Sequence, residues 1–229
     1  MLDDAKTLVA YLKKSDERGD INFAEDWKLT TLLIGGNDLC NYCKKKHVCR
    51  STVIYTDTIC PQKSYSAKKY TRNIMQALDL LQKEVPRMLV QVVAMSNIPP
   101  LLKIQTGPTC AMLQAYLCPC GLDTRTAKQM RAVHQQYYQA LKRLIEDSGR
   151  YDTKKDFTVV LQPFMADQTA PKDKNGKYDP SYFSVDCFHP DRKLHQIMAS
   201  ALWNNMACDH GAHYDNPNAS CIFSILLQL

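Results

Sequence analysis

Two hydrophobic periods alternate along the chain, and their order predicts its layers. Ala5, Leu8, Val9 and Leu12 recur at helical spacing, which predicts an amphipathic helix over residues 2–15. Trp27 to Ile34 is a short, β-rich apolar run closed by Gly35-Gly36, the pattern of a buried parallel strand. Residues 39–64 read as polar, Cys-rich and irregular. Ile74, Leu78, Leu81 and Val85 then predict a helix over residues 66–84, stopped by Pro86, whose ring cannot continue it. A second strand runs from Met88 to Met95 and is closed by Pro99-Pro100, and residues 100–123 read as a second Cys-bearing loop. Met130, Val133, Tyr137, Leu141 and Leu144 predict a long helix over residues 124–147, with Gly149 suited to its C-cap. Phe157 to Pro163 is a third strand and residues 171–180 a loop. Pro190 is expected to open a final helix with Leu194, Ile197, Ala201 and Leu202 on one face.

Strands separated by helical crossovers imply a parallel sheet with helices on both faces. Ligands of such sheets bind beyond the carboxyl ends of the strands. Gly35-Gly36-Asn37-Asp38 occupies such an end, and Asp186-Cys187-Phe188-His189-Pro190 follows the last strand by a loop long enough to reach the same edge.

Length changes this picture little, since 229 residues suit one α/β domain with a real core. No window approaches the ~20 apolar residues of a membrane span, and the apolar end from Cys221 to Leu229 is too short for one. The net charge of +6 is scattered, with Lys44-Lys45-Lys46-His47 the only dense run. Without a clustered basic face and interleaved aromatics, a nucleic-acid partner is not expected. Glycine-rich phosphate loops are absent too, so neither nucleotide chemistry nor a cofactor is expected.

Ten cysteines ask for a reason: Cys40, Cys43, Cys49, Cys60, Cys110, Cys118, Cys120, Cys187, Cys208 and Cys221. Disulfides formed in an oxidising compartment are the leading reading, and the sequon Asn218-Ala-Ser220, a candidate glycosylation site, points the same way. Alternatively, Cys40-x-x-Cys43 and Cys118-x-Cys120 are halves of a zinc site. The segment from Met1 has no signal-peptide pattern. A disulfide-rich chain without a signal is explained if its natural beginning is missing.

The chemistry rests on two motifs. A histidine acts as a base toward a hydroxyl only when its tautomer is fixed, and a carboxylate bound to Nδ1–H fixes it. Asp186 stands three residues ahead of His189, close enough on a tight turn to serve, although the pair taken alone also suits a helix cap. The side-chain amide of Asn37 is a neutral donor that can be aimed at an oxyanion, on a Gly35-Gly36 turn that lets substrate approach. Gly-Gly-Asn-Asp is also good material for an ordinary turn, in which Asp38 is a structural partner. His210, His213 and Asp215 could ligate a metal but read as a terminal tail, so no metal site is expected. His47, His134 and His195 have no partner pattern, and an ordinary surface or helix position suffices for each.

Together the two motifs resemble the third and fifth conserved blocks of the GDSL (SGNH) hydrolases, in particular the membrane-associated phospholipase B branch. The strings Asp26 to Leu29, Asn37 to Cys43, Val160 to Phe164 and Ala201 to Met206 look like that branch as well. The resemblance implies a three-layer α/β/α sandwich with a flavodoxin-like parallel sheet. It also implies hydrolysis of acyl esters of phospholipids and lysophospholipids at a membrane surface, outside the cell or at the plasma membrane, with no protein partner evident. Carried over by position, His189 is the general base, Asp186 its orienting partner and Asn37 the oxyanion donor, with Gly35 and Asp38 structural near the site. The family's nucleophile lies in a Gly-Asp-Ser block that occurs nowhere in the 229 residues. The serine and glycine blocks are therefore expected ahead of Met1. Residues 1–206 are then a partial hydrolase domain, incomplete at its N-terminus, and residues 207–229 a tail. The rival readings are an inactive remnant that binds lipid or a partner, and a zinc-binding module.

Overall fold

The computed structural model describes residues 1–43, 65–104, 107–166 and 170–206. Three strands, β1 (Lys28–Leu33), β2 (Met88–Val93) and β3 (Phe157–Gln162), form one sheet in the order β1-β2-β3. Both pairings are parallel, with Lys28 opposite Met88 and Met88 opposite Phe157. Helices lie on both sides of the sheet, as the alternation of strand and crossover predicts.

The described residues contain α1 (Leu2–Glu17), α2 (Gly36–Asn41), α3 (Ala67–Glu84), α4 (Pro108–Leu117), α5 (Thr124–Lys142) and α6 (Arg192–Met206). The apolar stripe of α3, Ile74, Leu78 and Leu81, meets that of α5, Met130, Val133, Tyr137 and Leu141, over one face of the sheet. Alternate strand residues complete that core: Met88, Val90 and Val92 from β2, with Phe157, Val159 and Leu161 from β3. Ser66 caps α3 by accepting from the Lys69 amide, and Asp123 caps α5 by accepting from Arg125 and Thr126. A turn of π-helix, Arg143–Asp147, extends α5, and Gly149 follows it at φ +60°.

Three expectations are corrected. Residues 100–123 are not simply a loop, because Pro108–Leu117 are α-helical with Pro108 in the first turn. The run after the Gly35-Gly36 turn is helical through Asn41, so the irregular stretch does not begin at Leu39. Pro190 does not open the last helix. It pairs with Phe183 in an antiparallel bridge, and α6 starts at Arg192, with Asp191 accepting from the Leu194 amide. The proline ring serves the bridge, and the side chain that caps the helix is one residue further on.

The zinc alternative for the paired cysteines is also overturned, since their sulfurs are oxidised. Cys40 bonds Cys118, Cys43 bonds Cys120 and Cys110 bonds Cys187. No cysteine is free among the described residues. Cys49, Cys60, Cys208, Cys221, Asn218, the Lys44–His47 run and the tail with His210, His213 and Asp215 lie outside them. No helix among the described residues is long and apolar enough to cross a membrane.

Candidate active site

At the carboxyl end of β1 the chain must turn at once from strand to helix. Gly35 makes that turn with φ +116°, in the left-handed region where a side chain is strained. A side chain at Gly35 would also crowd Tyr70. A Cβ on Gly35 would stand 3.0 Å from the Tyr70 ring, and one on Gly36 would stand 3.5 Å from Cε of Met95. Tyr70 is fixed in turn, its hydroxyl donating to the Ile34 carbonyl (3.1 Å) and its ring stacked 4.1 Å from that of Tyr137. The Tyr137 hydroxyl donates to the Tyr65 carbonyl (2.7 Å). On the other side the buried His134 donates from Nε2 to the Met95 carbonyl (2.5 Å), pinning the segment that follows β2. His134 thus has a partner that the sequence pattern does not reveal.

The turn places Asn37 in the first turn of α2, exposed, with its carbonyl accepting from Asn41 Nδ2 (2.8 Å). Asp38 is partly buried, and burial raises its carboxyl above the ordinary carboxylate value. Burial, and then the charge of Asp38, push both the Tyr70 and Tyr137 phenols well above the usual range. Both therefore remain donors at any working pH. Replacing Gly35 by alanine is expected to cost about 1–2 kcal/mol or more, from the left-handed backbone alone. A thermal unfolding midpoint unchanged from the parent would mean that the turn is not held as described.

The second motif forms a closed turn. Asp186 Oδ1 accepts from the Ser184 hydroxyl (2.6 Å) and from the amides of Phe188 (3.0 Å) and His189 (2.9 Å). Its Oδ2 lies 2.6 Å from His189 Nδ1. The backbone closes on itself, Ser184 N donating to His189 O (2.8 Å) and Cys187 N to Ser184 O (2.9 Å), with Cys187 at φ +59°. Burial alone would raise the Asp186 carboxyl. Hydrogen bonds from Ser184, His189 and the two amides outweigh it and hold the group well below the usual carboxylate range. The pair is thus an ionised carboxylate held on Nδ1 of an imidazole. Nε2 has no hydrogen-bond partner among the described residues, and the His189 ring lies edge-on to Phe188, centroids 5.0 Å apart. The Ser184 hydroxyl is directed to Asp186 and supports the turn.

What joins the two motifs is α4. At its start Cys110 is bonded to Cys187 in the base turn, and at its C-cap Cys118 is bonded to Cys40 in α2. Between them the fully buried Gln114 donates from Nε2 to the carbonyls of Cys187 (2.8 Å) and Ile104 (3.1 Å). Cys110, Gln114 and Cys118 recur every four residues, so one helix face holds both motifs. Beside the base turn a groove of about 400 Å³ is lined by Ile104, Pro108, Pro180, Phe183 and Val185. Tyr70, Met95, His134, Gln114 and Ser184 were not singled out as site residues from the sequence. Tyr70 alone carries a signal there, four residues before Ile74 on the apolar stripe of α3.

The chain thus joins a parallel α/β sheet to an Asp-His pair after its last strand and an asparagine on the glycine turn after another. The profile of the GDSL-like Lipase/Acylhydrolase family matches residues 1–202, and the chain belongs to that family. It is 38% identical over 213 residues to the "Phospholipase B1, membrane-associated" of Homo sapiens, a match covering 90% of this chain and 13% of that protein. The proteins of the same name from Rattus norvegicus and Mus musculus are 40% and 39% identical over 209 residues, 88% of this chain and 13% of theirs. The chain therefore spans about an eighth of the length of these relatives.

Proposed function

We propose that this domain belongs to a carboxylic ester hydrolase that removes acyl chains from phospholipids and lysophospholipids. The observation that carries the reading is the 2.6 Å contact between Asp186 Oδ2 and His189 Nδ1, which leaves Nε2 available to take a hydroxyl proton. Family membership and the similarity to proteins named phospholipase B1 support it.

In this mechanism a serine hydroxyl attacks the ester carbonyl while His189 Nε2 takes its proton. Asp186 keeps the imidazole in the tautomer with Nδ1 protonated and stabilises the imidazolium that forms. Asn37 donates from its side-chain amide to the oxyanion, and collapse of the tetrahedral intermediate expels the alcohol, protonated by His189. Water then attacks the acyl-enzyme, with His189 again as base, and the fatty acid leaves. Since Gly-Asp-Ser does not occur in the 229 residues, the serine comes from polypeptide outside them, and the 229 residues alone hydrolyse no ester above background. Residues 1–206 are a partial hydrolase domain in this reading, and residues 207–229 a tail. The three disulfides support an oxidising location, outside the cell or on the plasma membrane.

The test is fatty-acid release from lysophosphatidylcholine by a polypeptide carrying this domain together with the serine. Asn37→Ala is expected to lower kcat by about 10²–10³ with KM little changed. A loss confined to KM would count against the oxyanion role. Absence of any release by the parent polypeptide contradicts the hydrolase reading.

A further inference from the structure

We propose that the outward face of α4, with the basic rim beside it, is the surface on which this domain docks onto an anionic lipid bilayer. The proposal deepens the hydrolase reading and rests on it for its purpose, although the binding itself is independent of turnover. The helix from Pro108 to Leu117 contains no charged residue. Its inward face is consumed by Cys110, Gln114 and Cys118, which hold the base turn and α2. Two residues round from that face, Met112 and Tyr116 are 65% and 81% exposed. They stand one turn apart, so their side chains share the outward face. A charge-free surface helix with bare large apolar residues is unusual unless something apolar covers it.

The nature of the cover follows from the charges alongside. Leu122, also exposed, follows α4 and lines a groove of about 680 Å³ with Lys103, Lys128 and Arg131. None of these three cations makes an ion pair with a described residue. Between residues 99 and 131 the chain carries four cations, Lys103, Arg125, Lys128 and Arg131, against the single carboxylate Asp123, which is occupied in capping α5. An exposed apolar helix face followed along the chain by an apolar side chain among cations with no ion pair among the described residues matches a bilayer whose headgroups are anionic. A second exposed apolar region, Trp27, Leu29 and Leu33, is of a different kind. It belongs to β1, whose outer edge carries backbone groups that lipid cannot satisfy, so it suits polypeptide.

Val185, 98% exposed, precedes Asp186 in the turn that α4 holds through Cys110–Cys187. The Cys110–Cys187 bond thus ties the His189 turn covalently to the docking helix.

The experiment is flotation of the 229-residue chain with vesicles of phosphatidylcholine, and with equimolar phosphatidylcholine and phosphatidylserine. The expected result is binding to the anionic vesicles that weakens with salt. Met112→Ser/Tyr116→Ser is expected to reduce binding by about tenfold or more, and Lys128→Gln/Arg131→Gln to remove the preference for phosphatidylserine. Circular dichroism and the unfolding midpoint of both variants should match the parent, because all four side chains are exposed. Failure of the parent to bind either vesicle, or equal binding by Met112→Ser/Tyr116→Ser, overturns the proposal. Vesicle binding without ester hydrolysis by a serine-bearing polypeptide overturns the hydrolase reading alone. Hydrolysis of a soluble short-chain ester, with vesicle binding untouched by the α4 substitutions, overturns the docking surface alone.

Discussion

In a polypeptide that carries the serine, His189→Ala is expected to lower kcat by about 10⁴–10⁶. The size of the effect follows from how the imidazole is held. Asp186 Oδ2 takes Nδ1 at 2.6 Å, and Nε2 has no hydrogen-bond partner among the described residues. Without it a serine hydroxyl keeps its proton, and only the oxyanion donors and binding remain to accelerate the reaction. Stability should change little, because the His189 side chain is 58% exposed and the turn keeps its backbone and Ser184 bonds to Asp186. The checks are initial rates on lysophosphatidylcholine and an unfolding curve of the same sample. Near-normal turnover removes the base assignment. A parallel collapse of stability would mean that the variant reports on folding.

The second large effect belongs to the Cys110–Cys187 disulfide. It joins residues 77 apart in sequence, and closing a loop of that length in the unfolded chain contributes about 4.5 kcal/mol in the chain-entropy account. Cys110→Ser/Cys187→Ser is therefore expected to lower the unfolding midpoint by roughly 9–18 °C for a domain of this size. The Cys40–Cys118 and Cys43–Cys120 bonds close nearly the same loop as each other, across 78 and 77 residues. Once one is formed the other closes only a short ring, so losing either alone costs little and losing both costs more than twice the loss of one. The Cys110–Cys187 bond shares no such partner. Its loss also frees the base turn, which has Cys187 in the left-handed region, from α4. Turnover should fall with the midpoint, while the double variant at Cys43 and Cys120 should keep its turnover below its own midpoint. Equal midpoints for parent and Cys110→Ser/Cys187→Ser would show that α4 is not the strut described.

The strands were legible in the sequence because each is a short apolar run with its own stop. Gly35-Gly36 ends β1 and the Pro99-Pro100 segment follows β2. The long helices α3 and α5 were legible for the complementary reason, a periodic stripe with polar residues on the opposite face. By the same logic α4 was hidden. From Pro108 to Leu117 it has neither charge nor period, because its two faces are buried by disulfides on one side and left bare on the other. A helix made amphipathic by covalent bonds does not look amphipathic.

The Asp186–His189 pair was legible as a spacing, and its geometry follows from a turn that three residues can close. Its supports were not. Ser184 and Gln114 carry no pattern, and their roles arise from contacts at separations of 2 and 73 residues. The cysteine pairing was equally out of reach, since ten cysteines admit many connectivities and only the fold selects among them. Pro190 misled because a proline before a periodic run usually begins a helix, whereas here the strand-like bridge to Phe183 claimed it first.

The central claim is that His189 activates a serine which these 229 residues do not contain. The most direct measurement is labelling of a polypeptide spanning this domain and its flanking sequence with a serine-directed fluorophosphonate, followed by peptide mapping. The account predicts a single labelled serine, in a Gly-Asp-Ser sequence outside residues 1–229, with labelling abolished by His189→Ala. Label on a serine within residues 1–229, or labelling indifferent to His189, would contradict it.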